Sequence, residues 1–230
     1  MKEQLEQIRK TYDQAIEDGR KGINRYQQLP EYITSDPDYP WYVASQKEND
    51  FGDSGRQAII DYLKPAKGMK FVDLGCCLNL MLNGYDEWAS TYYGVDISPK
   101  TIQLLQEYVA KKKLLIGELV LGSMHETPFE PSFFDIGTCI GSIEYFKRDF
   151  VGQVIREIHR ILKPNARFVL DIPNPDSREG RIAMMIEDFL GRTDLFDLTY
   201  QEFDAMLLPY FTVEKIKKGG MIQFYLRCKK

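Results

Sequence analysis

The stretch Phe71-Val72-Asp73-Leu74-Gly75-Cys76-Cys77-Leu78-Asn79, followed by Tyr93-Gly94-Val95-Asp96-Ile97-Ser98, constrains this chain more than any other feature. The first half is a short apolar run that enters a glycine turn. The second is another apolar run, and it ends in a carboxylate about twenty residues past Gly75. Short apolar runs bounded by turn residues read as strands covered on both faces. In doubly wound α/β folds, this spacing places an acid on a ribose. The pair therefore predicts a parallel sheet with an adenosine-containing ligand at the end of its first strand.

The rest of the chain fits that frame. Residues 1 to about 29 carry helical periodicity, with Leu5, Ile8, Tyr12, Ala15 and Ile16 on one face. Pro30, Pro37 and Pro40 break the segment from Leu29 to Pro40, and a short helix is expected over Gln57 to Leu63. From Met69 onward strands and helices alternate. Strands are expected at Lys70–Leu74, Tyr92–Asp96, Glu118–Leu121, Phe134–Ile140 and Arg167–Ile172. Helices are expected over Leu78–Glu87, with Gly84 as a weak point, Ser98–Lys112, Val151–Leu162, Gly180–Leu190 and Thr199–Leu208. Ser98-Pro99 caps the second of these, and Lys163-Pro164-Asn165 stops the third. Phe211–Lys217 and Met221–Cys228, joined by Gly219-Gly220, read as a terminal hairpin. Alternation of this kind makes a sheet with helices on both faces.

With 230 residues the chain is one large domain with a small appendage: a helical N-terminal cap or lid over residues 1–50, and the main domain over 51–230. The net charge of −4 argues against a nucleic-acid partner, and the one basic run, Lys111-Lys112-Lys113, reads as a solvated helix end. The first residues lack the apolar core of a signal peptide, and no window approaches the roughly 18 apolar residues of a membrane span, so the expected location is the cytoplasm, away from membranes. The four cysteines, Cys76, Cys77, Cys139 and Cys228, include no C-x-x-C pair, so no metal site is expected.

The order of these motifs resembles a class I S-adenosylmethionine (SAM) dependent methyltransferase of the small-molecule type, over roughly residues 50 to 230. The resemblance implies a Rossmann-like, doubly wound, mostly parallel seven-stranded sheet with an antiparallel C-terminal hairpin. In that family the first strand ends in an acid and a glycine-rich turn, here Asp73 to Asn79, with the later two glycine positions taken by Cys77 and Asn79. Gly75 supplies the tight turn, Cys77 is small enough for a ligand to approach, and Asn79 tolerates a left-handed backbone. The altered loop also bears on the cofactor, because a pyrophosphate needs glycine at close approach and SAM has no phosphate.

The resemblance assigns cofactor contacts to Asp73, Gly75, Cys76, Cys77, Asp96, Ile97, Ser123, Met124, His125, Cys139 and Ile140. Asp96 would accept hydrogen bonds from both ribose hydroxyls, since an ionised carboxylate is acceptor-only; the alternative is an N-cap for the helix that follows. Asp73 would reach the methionine amino group, or else order the loop. Ser123, Met124 and His125 would line the adenine. Glu144 and Tyr145 fall beyond the fourth strand, where relatives carry polar active-site residues, and either could orient or deprotonate a nucleophile. Their alternatives are a helix turn and packing against the lid. His159 matches a structural helix and is expected to be partly buried and inert.

The implied reaction is in-line transfer of the SAM methyl group to an O, N, S or C nucleophile of a small molecule, leaving S-adenosylhomocysteine (SAH). The front aromatics (Tyr12, Tyr26, Tyr32, Tyr39, Trp41, Tyr42 and Phe51) would fold over the site, with Arg56 or Lys47 on the SAM carboxylate. The same rings could instead be core for the cap. A non-catalytic SAM-binding or partner-binding module, or an NAD-dependent oxidoreductase, would be the rival readings. The oligomeric state expected is monomer or homodimer.

Overall fold

The computed structural model describes residues 2–47 and 53–230. Helices α1 (Lys2–Arg20), α2 (Glu31–Thr34), α3 (Tyr39–Lys47) and α4 (Asp53–Leu63) precede strand β1 (Lys70–Leu74). Then come α5 (Asn79–Leu82), β2 (Thr91–Asp96), α6 (Pro99–Lys112), β3 (Glu118–Leu121), β4 (Phe134–Cys139), α7 (Arg148–Ile161) and β5 (Leu162–Pro173). Helices α8 (Arg178–Phe189) and α9 (Tyr200–Leu207) and the hairpin β6 (Phe211–Lys218) and β7 (Met221–Cys228) complete the chain. No described helix is long and apolar enough to cross a membrane.

The seven strands form one sheet in the order β3-β2-β1-β4-β5-β7-β6. The first five are parallel, and β7 joins β5 antiparallel, pairing Arg167 with Arg227 through to Pro173 with Met221. The hairpin is therefore not a simple appendage at the edge. Its second strand is threaded between β5 and β6, because β7 carries the buried residues (Ile222, Phe224, Tyr225, Leu226) and β6 the more polar ones. The strand order reverses between β1 and β4, which opens a crevice at the carboxyl ends of those two strands.

Local chemistry explains most element ends. Ser98 accepts from the Thr101 amide and Pro99 follows at the first helical position, so α6 starts where its sequence says. It ends at Lys113 in a left-handed conformation, with all three lysines of the run exposed. Thr199 and Glu202 form a reciprocal capping box on α9.

Some expectations are corrected. The first helix stops at Arg20, not near residue 29, because Gly22 turns the chain with φ 72; Ala15 on its expected inner face is exposed. The Leu29–Pro40 segment is not merely broken: Pro30 caps α2, and Pro40 sits in the first turn of α3, where its missing N–H costs nothing. The stretch Leu78–Glu87 is split at Gly84 into α5 and a single 3-10 turn. The fifth strand begins at Leu162, five residues early. The expected boundary at residue 50 and Phe51 fall outside the described residues.

The N-terminal helix does not stand apart from the main core. Leu5, Ile8 and Tyr12 pack in the same cluster as Val72, Leu74 and Val95. Asp13, buried on α1, accepts from the Ser98 hydroxyl at 2.6 Å and so ties the helix to the cap of α6.

Candidate active site

The turn after β1 sets the geometry. Gly75 has φ 67, and a Cβ there would lie 2.1 Å from Ser142 Oγ and 2.7 Å from Ser142 Cβ. Glycine is required twice over, by the backbone and by the approach of the β4 loop. The second left-handed residue is Cys77 (φ 40); Asn79, assigned that tolerance from sequence, instead opens α5 in helical conformation. The turn is closed from β2: the amides of Gly75 and Cys76 both donate to the Val95 carbonyl, and the Cys77 amide donates to Asp96 at 2.8 Å.

Asp96 is buried at the end of β2, with Oδ2 on the Cys77 amide and Oδ1 on the Ser98 amide at 2.8 Å. Burial pushes its carboxyl up to about 6, against the pull of those two amides, and Asp13 nearby adds to the rise. The N-cap itself is Ser98, so the alternative role foreseen for Asp96 goes to its neighbour. Each carboxylate oxygen keeps a lone pair, and Asp96 lines a narrow cavity of about 80 Å³ with Gly75, Cys77, Ile97, Ser123, Met124 and Ile140. Asn79, Gly122 and Ser142, absent from the sequence-based set, line it too, and Leu5, Ile8 and Tyr12 of α1 cover it.

Four of the expected contacts are not on this wall. Asp73 is wholly buried one layer beneath, accepting from Thr138 Oγ1 at 2.8 Å, Asn79 Nδ2 at 3.0 Å and Tyr92 Oη at 3.2 Å. Burial raises it to about 6 despite those donors, and the bond from Asn79 ties it to the loop. Cys76 points away into the cluster of Phe71, Tyr85 and Tyr92. Cys139 is fully buried with Sγ 3.7 Å from Met124 Sδ. His125, half-buried, is not among the residues lining the cavity: its Nδ1 lies 2.6 Å from Ser123 Oγ and its ring 4.9 Å from that of Phe150. These residues support the wall from behind; strand alternation and helix packing decide which side chains reach it. His159 is half-buried, with Nε2 on the Lys229 carbonyl at 2.7 Å and its ring against Tyr210.

A second, larger cavity of about 690 Å³ opens beside the first, and Tyr12, Cys77, Ile140, Gly141 and Tyr145 line both. Tyr26, Tyr39 and Tyr42 of the front segment face it. Tyr32 and Trp41 do not: both are exposed, and Trp41 lies under the Arg178 guanidinium at 4.9 Å. Arg56 lines this cavity, donating to Asn79 Oδ1 at 3.2 Å and to the Tyr85 hydroxyl. The Lys47 side chain lies outside the described residues.

Glu144 and Tyr145 both face this space. Tyr145 Oη lies 3.2 Å from Tyr12 Oη and from Glu187 Oε2, and Gln4 donates to its carbonyl. Glu187 is ion-paired with Arg192, Nε to Oε2 at 2.8 Å; Arg192 also donates to Tyr26 Oη at 2.9 Å and lies over the Tyr12 ring at 4.9 Å. Burial raises the Tyr145 and Tyr12 phenols well above their usual range. Glu144 is nearly enclosed, and its Oε2 has no partner among the described residues. Burial holds its carboxyl well above the carboxylate range, with the neighbouring Asp171 adding to the rise.

Asp171, Glu187 and Arg192 were not read from sequence. Asp171 lies two residues before Pro173-Asn174 at the carboxyl end of β5, and both of those residues line the cavity. Its Oδ1 accepts from the Gly141 amide at 2.8 Å, and burial raises it to about 7. The position at the carboxyl end of a strand was the available signal. Glu187 and Arg192 carry none, since only the docking of α8 brings them here.

A family model described as a methyltransferase domain matches residues 72–170. A sterol 4-C-methyltransferase of Caenorhabditis elegans is 26% identical over 113 residues, 49% of this chain and 33% of that protein. The mitochondrial ubiquinone biosynthesis O-methyltransferase of Schizosaccharomyces pombe is 28% identical over 107 residues, 45% of this chain and 37% of that protein. The matched region thus spans about a third of each relative's length. Among solved structures, a protein of Pyrococcus horikoshii OT3 superposes with TM-score 0.64 at 21% identity, covering 90% of this chain and 100% of that one. A geranyl diphosphate C-methyltransferase of Streptomyces coelicolor A3(2), solved with Mg²⁺, geranyl diphosphate and SAH, superposes with TM-score 0.63 at 14% identity, covering 87% of this chain and 88% of that one.

Proposed function

We propose that this chain, whose residues 72–170 match a methyltransferase-domain model and whose sheet has the Rossmann-like order, is a class I SAM-dependent enzyme that methylates a small molecule. The observation that carries the reading is Asp96: a buried acid at the end of β2 that lines a cavity where strand order reverses and keeps lone pairs beyond those its backbone amides use. Those lone pairs suit two ribose hydroxyls. Gly75 and Cys77 let the ligand lie against the backbone, while Ile97, Ser123 and Met124 suit the adenine end. Arg56, on the rim toward the larger cavity, suits the carboxylate of the methionine end. The residues fit the group, and they fit a dinucleotide less well, because Cys77 and Asn79 stand where a pyrophosphate needs glycine.

SAM supplies an electrophilic methyl on a sulfonium. The chain supplies position, dryness and a proton acceptor. The two cavities meet at Cys77, Ile140, Gly141 and Tyr145, so the acceptor would be held in the larger one with its nucleophile facing that junction. Tyr12, Tyr26, Tyr39 and Tyr42 roof the space and exclude water. Glu144 is the group we assign as proton acceptor, and Tyr145, held by Tyr12 and Glu187, orients the nucleophile. The relatives named for a sterol and for ubiquinone biosynthesis, and the structural neighbour named for geranyl diphosphate, act on small molecules, and the net charge of −4 favours that class over nucleic acid. Unpaired Cys76, Cys77, Cys139 and Cys228 suit the reducing cytoplasm.

One observation favours a rival reading as a non-catalytic module: Leu5, Ile8 and Tyr12 leave only about 80 Å³ beside Asp96. On the methyltransferase reading α1 is a lid that yields to the cofactor. Calorimetric titration of SAM, SAH and NAD into the wild type and Asp96→Ala separates the readings. Micromolar binding of both adenosyl ligands, lost in the variant, is expected. Binding of NAD alone, or of nothing, would overturn the assignment.

A further inference from the structure

Four carboxylates face the larger cavity: Glu144, Asp171, Glu187 and Asp194. Their compensation is uneven. Glu187 has Arg192. Asp171 has the Gly141 amide and feels the positive charge of Arg56. Asp194 has the Phe196 amide at 2.8 Å. A backbone hydrogen bond within Glu144 itself favours its carboxylate, but Oε2 has no partner among the described residues, and the charges that act on it most strongly, those of Asp171, Glu187 and Asp194, are all acidic. Its own carbonyl is already taken by the amides of Leu195 and Phe196 at 3.0 Å, which pins the residue in place without helping its carboxylate.

A buried acid in that position is costly to ionise unless a cation arrives with the ligand. The rest of the wall suits one. Five tyrosines (Tyr12, Tyr26, Tyr39, Tyr42 and Tyr145) line the cavity, and a ring face attracts a positive charge. Among the described residues two arginines line the wall: Arg192 is engaged by Glu187, Tyr26 and Tyr12, and Arg56, held by Asn79 and Tyr85, is the group assigned above to the SAM carboxylate. Lys217, on the hairpin side of the wall, has a partner as well. Among the described residues, then, no cation on the wall is left as a ready partner for an anionic acceptor.

Resting on the methyltransferase reading, we infer that the acceptor is an amine, bound as its ammonium ion between Glu144 and the tyrosine rings, with Asp171 as the second carboxylate of the subsite. Its N–H proton passes to the Glu144 carboxylate, which frees the nitrogen lone pair. That pair forms the new N–C bond as the S–C bond breaks and leaves its electrons on sulfur. The sulfonium charge becomes that of the N-methylammonium product, and Glu144 returns its proton to water as product leaves.

The test is calorimetry on the full chain saturated with SAH. Phenethylamine, butylamine and spermidine are titrated as amine probes; 2-phenylethanol and phenylacetate carry the same ring as phenethylamine without its positive charge. At least one amine is expected to bind, and phenethylamine at least tenfold more tightly than the alcohol or the acid. Glu144→Gln is expected to erase that preference, with its SAH binding as the check that it folds. Asp171→Asn should weaken the amine severalfold, and it provides the second variant if Glu144→Gln does not fold. Equal or tighter binding of the alcohol or the carboxylate would overturn the inference, as would no amine binding to a protein that holds SAH. If SAH itself does not bind, the methyltransferase reading falls; the same amines titrated into the free protein then still decide whether the subsite selects a cation.

Discussion

Gly75→Ala probes the turn on which the whole site depends. The added Cβ meets two separate obstacles. At φ 67 an L side chain costs about 1–2 kcal/mol. The Cβ would also stand 2.1 Å from Ser142 Oγ and 2.7 Å from Ser142 Cβ. A hydroxyl can rotate away, but the Ser142 Cβ cannot without moving its backbone, and overpacking of this kind costs about 1–3 kcal/mol. Together about 3 kcal/mol is expected, which for a chain of this size lowers Tm by about 6–12 °C. Urea denaturation and calorimetric Tm measure it. The two terms separate in a double-mutant cycle with Ser142→Gly. That second change removes the clash but not the backbone cost, so the pair should be less destabilised than the sum of the singles by about 1–3 kcal/mol. Additivity within about 0.5 kcal/mol would refute the close approach of Ser142 to the turn. A Gly75→Ala protein as stable as wild type would refute the left-handed turn itself.

Further outcomes follow from the same contacts. Asp73 and Asp96 rise to about 6 and Asp171 to about 7 on burial, whereas in the unfolded chain each titrates near 4. The folded state therefore binds more protons between about pH 4 and 7, and the ligand-free protein should lose stability as pH rises through that window. Each group contributes about 1.4 kcal/mol for every pH unit that separates its folded from its unfolded midpoint. A urea midpoint that stays flat or climbs from pH 5 to pH 8 would refute the burial of these carboxylates. SAH affinity should run the other way, falling below about pH 6 as Asp96 takes up its proton, and pH-dependent calorimetry would show it. Asp13→Ala removes the acceptor of the buried Ser98 hydroxyl, and about 1–3 kcal/mol of stability with it, measurable by urea denaturation. Gly180→Ala would drive a Cβ to 2.2 Å from the Asn174 carbonyl and 2.6 Å from that of Gly220, so a large loss in Tm is expected from the collision of α8 with the hairpin turn.

The walls of the candidate site were legible in the sequence wherever a backbone turn or a strand end placed them. Gly75, Cys77, Asp96, Ile97 and Ile140 sit at the carboxyl ends of strands or in the loops that leave them, and apolar runs locate those ends. Asp73 shows where that stops. β1 is buried on both faces, so alternation puts Val72 and Leu74 in one apolar cluster and Phe71 in the other. Nothing in the run itself says that Asp73 will turn toward Tyr92 and Thr138 rather than toward a ligand. The same holds for Cys76 and Cys139, since a small apolar residue is equally at home on either side.

The sequence by itself determined the alternation of strands and helices, the tight turn at Gly75, the acid at Asp96 and the closing hairpin, because each is encoded within a few residues by periodicity, capping or the conformational freedom of glycine. Tertiary structure decided the rest. It placed β7 inside the sheet, where its apolar residues are covered, and left the more polar β6 at the edge. It seated Leu5, Ile8 and Tyr12 over the cavity beside Asp96, and brought Glu144, Asp171, Glu187 and Arg192 to one wall from β4's loop, β5, α8 and the loop beyond. Glu144, Asp171 and the Glu187–Arg192 pair are far apart in the chain, and the charge balance that leaves Glu144 Oε2 without a partner among the described residues exists only after packing has brought them together.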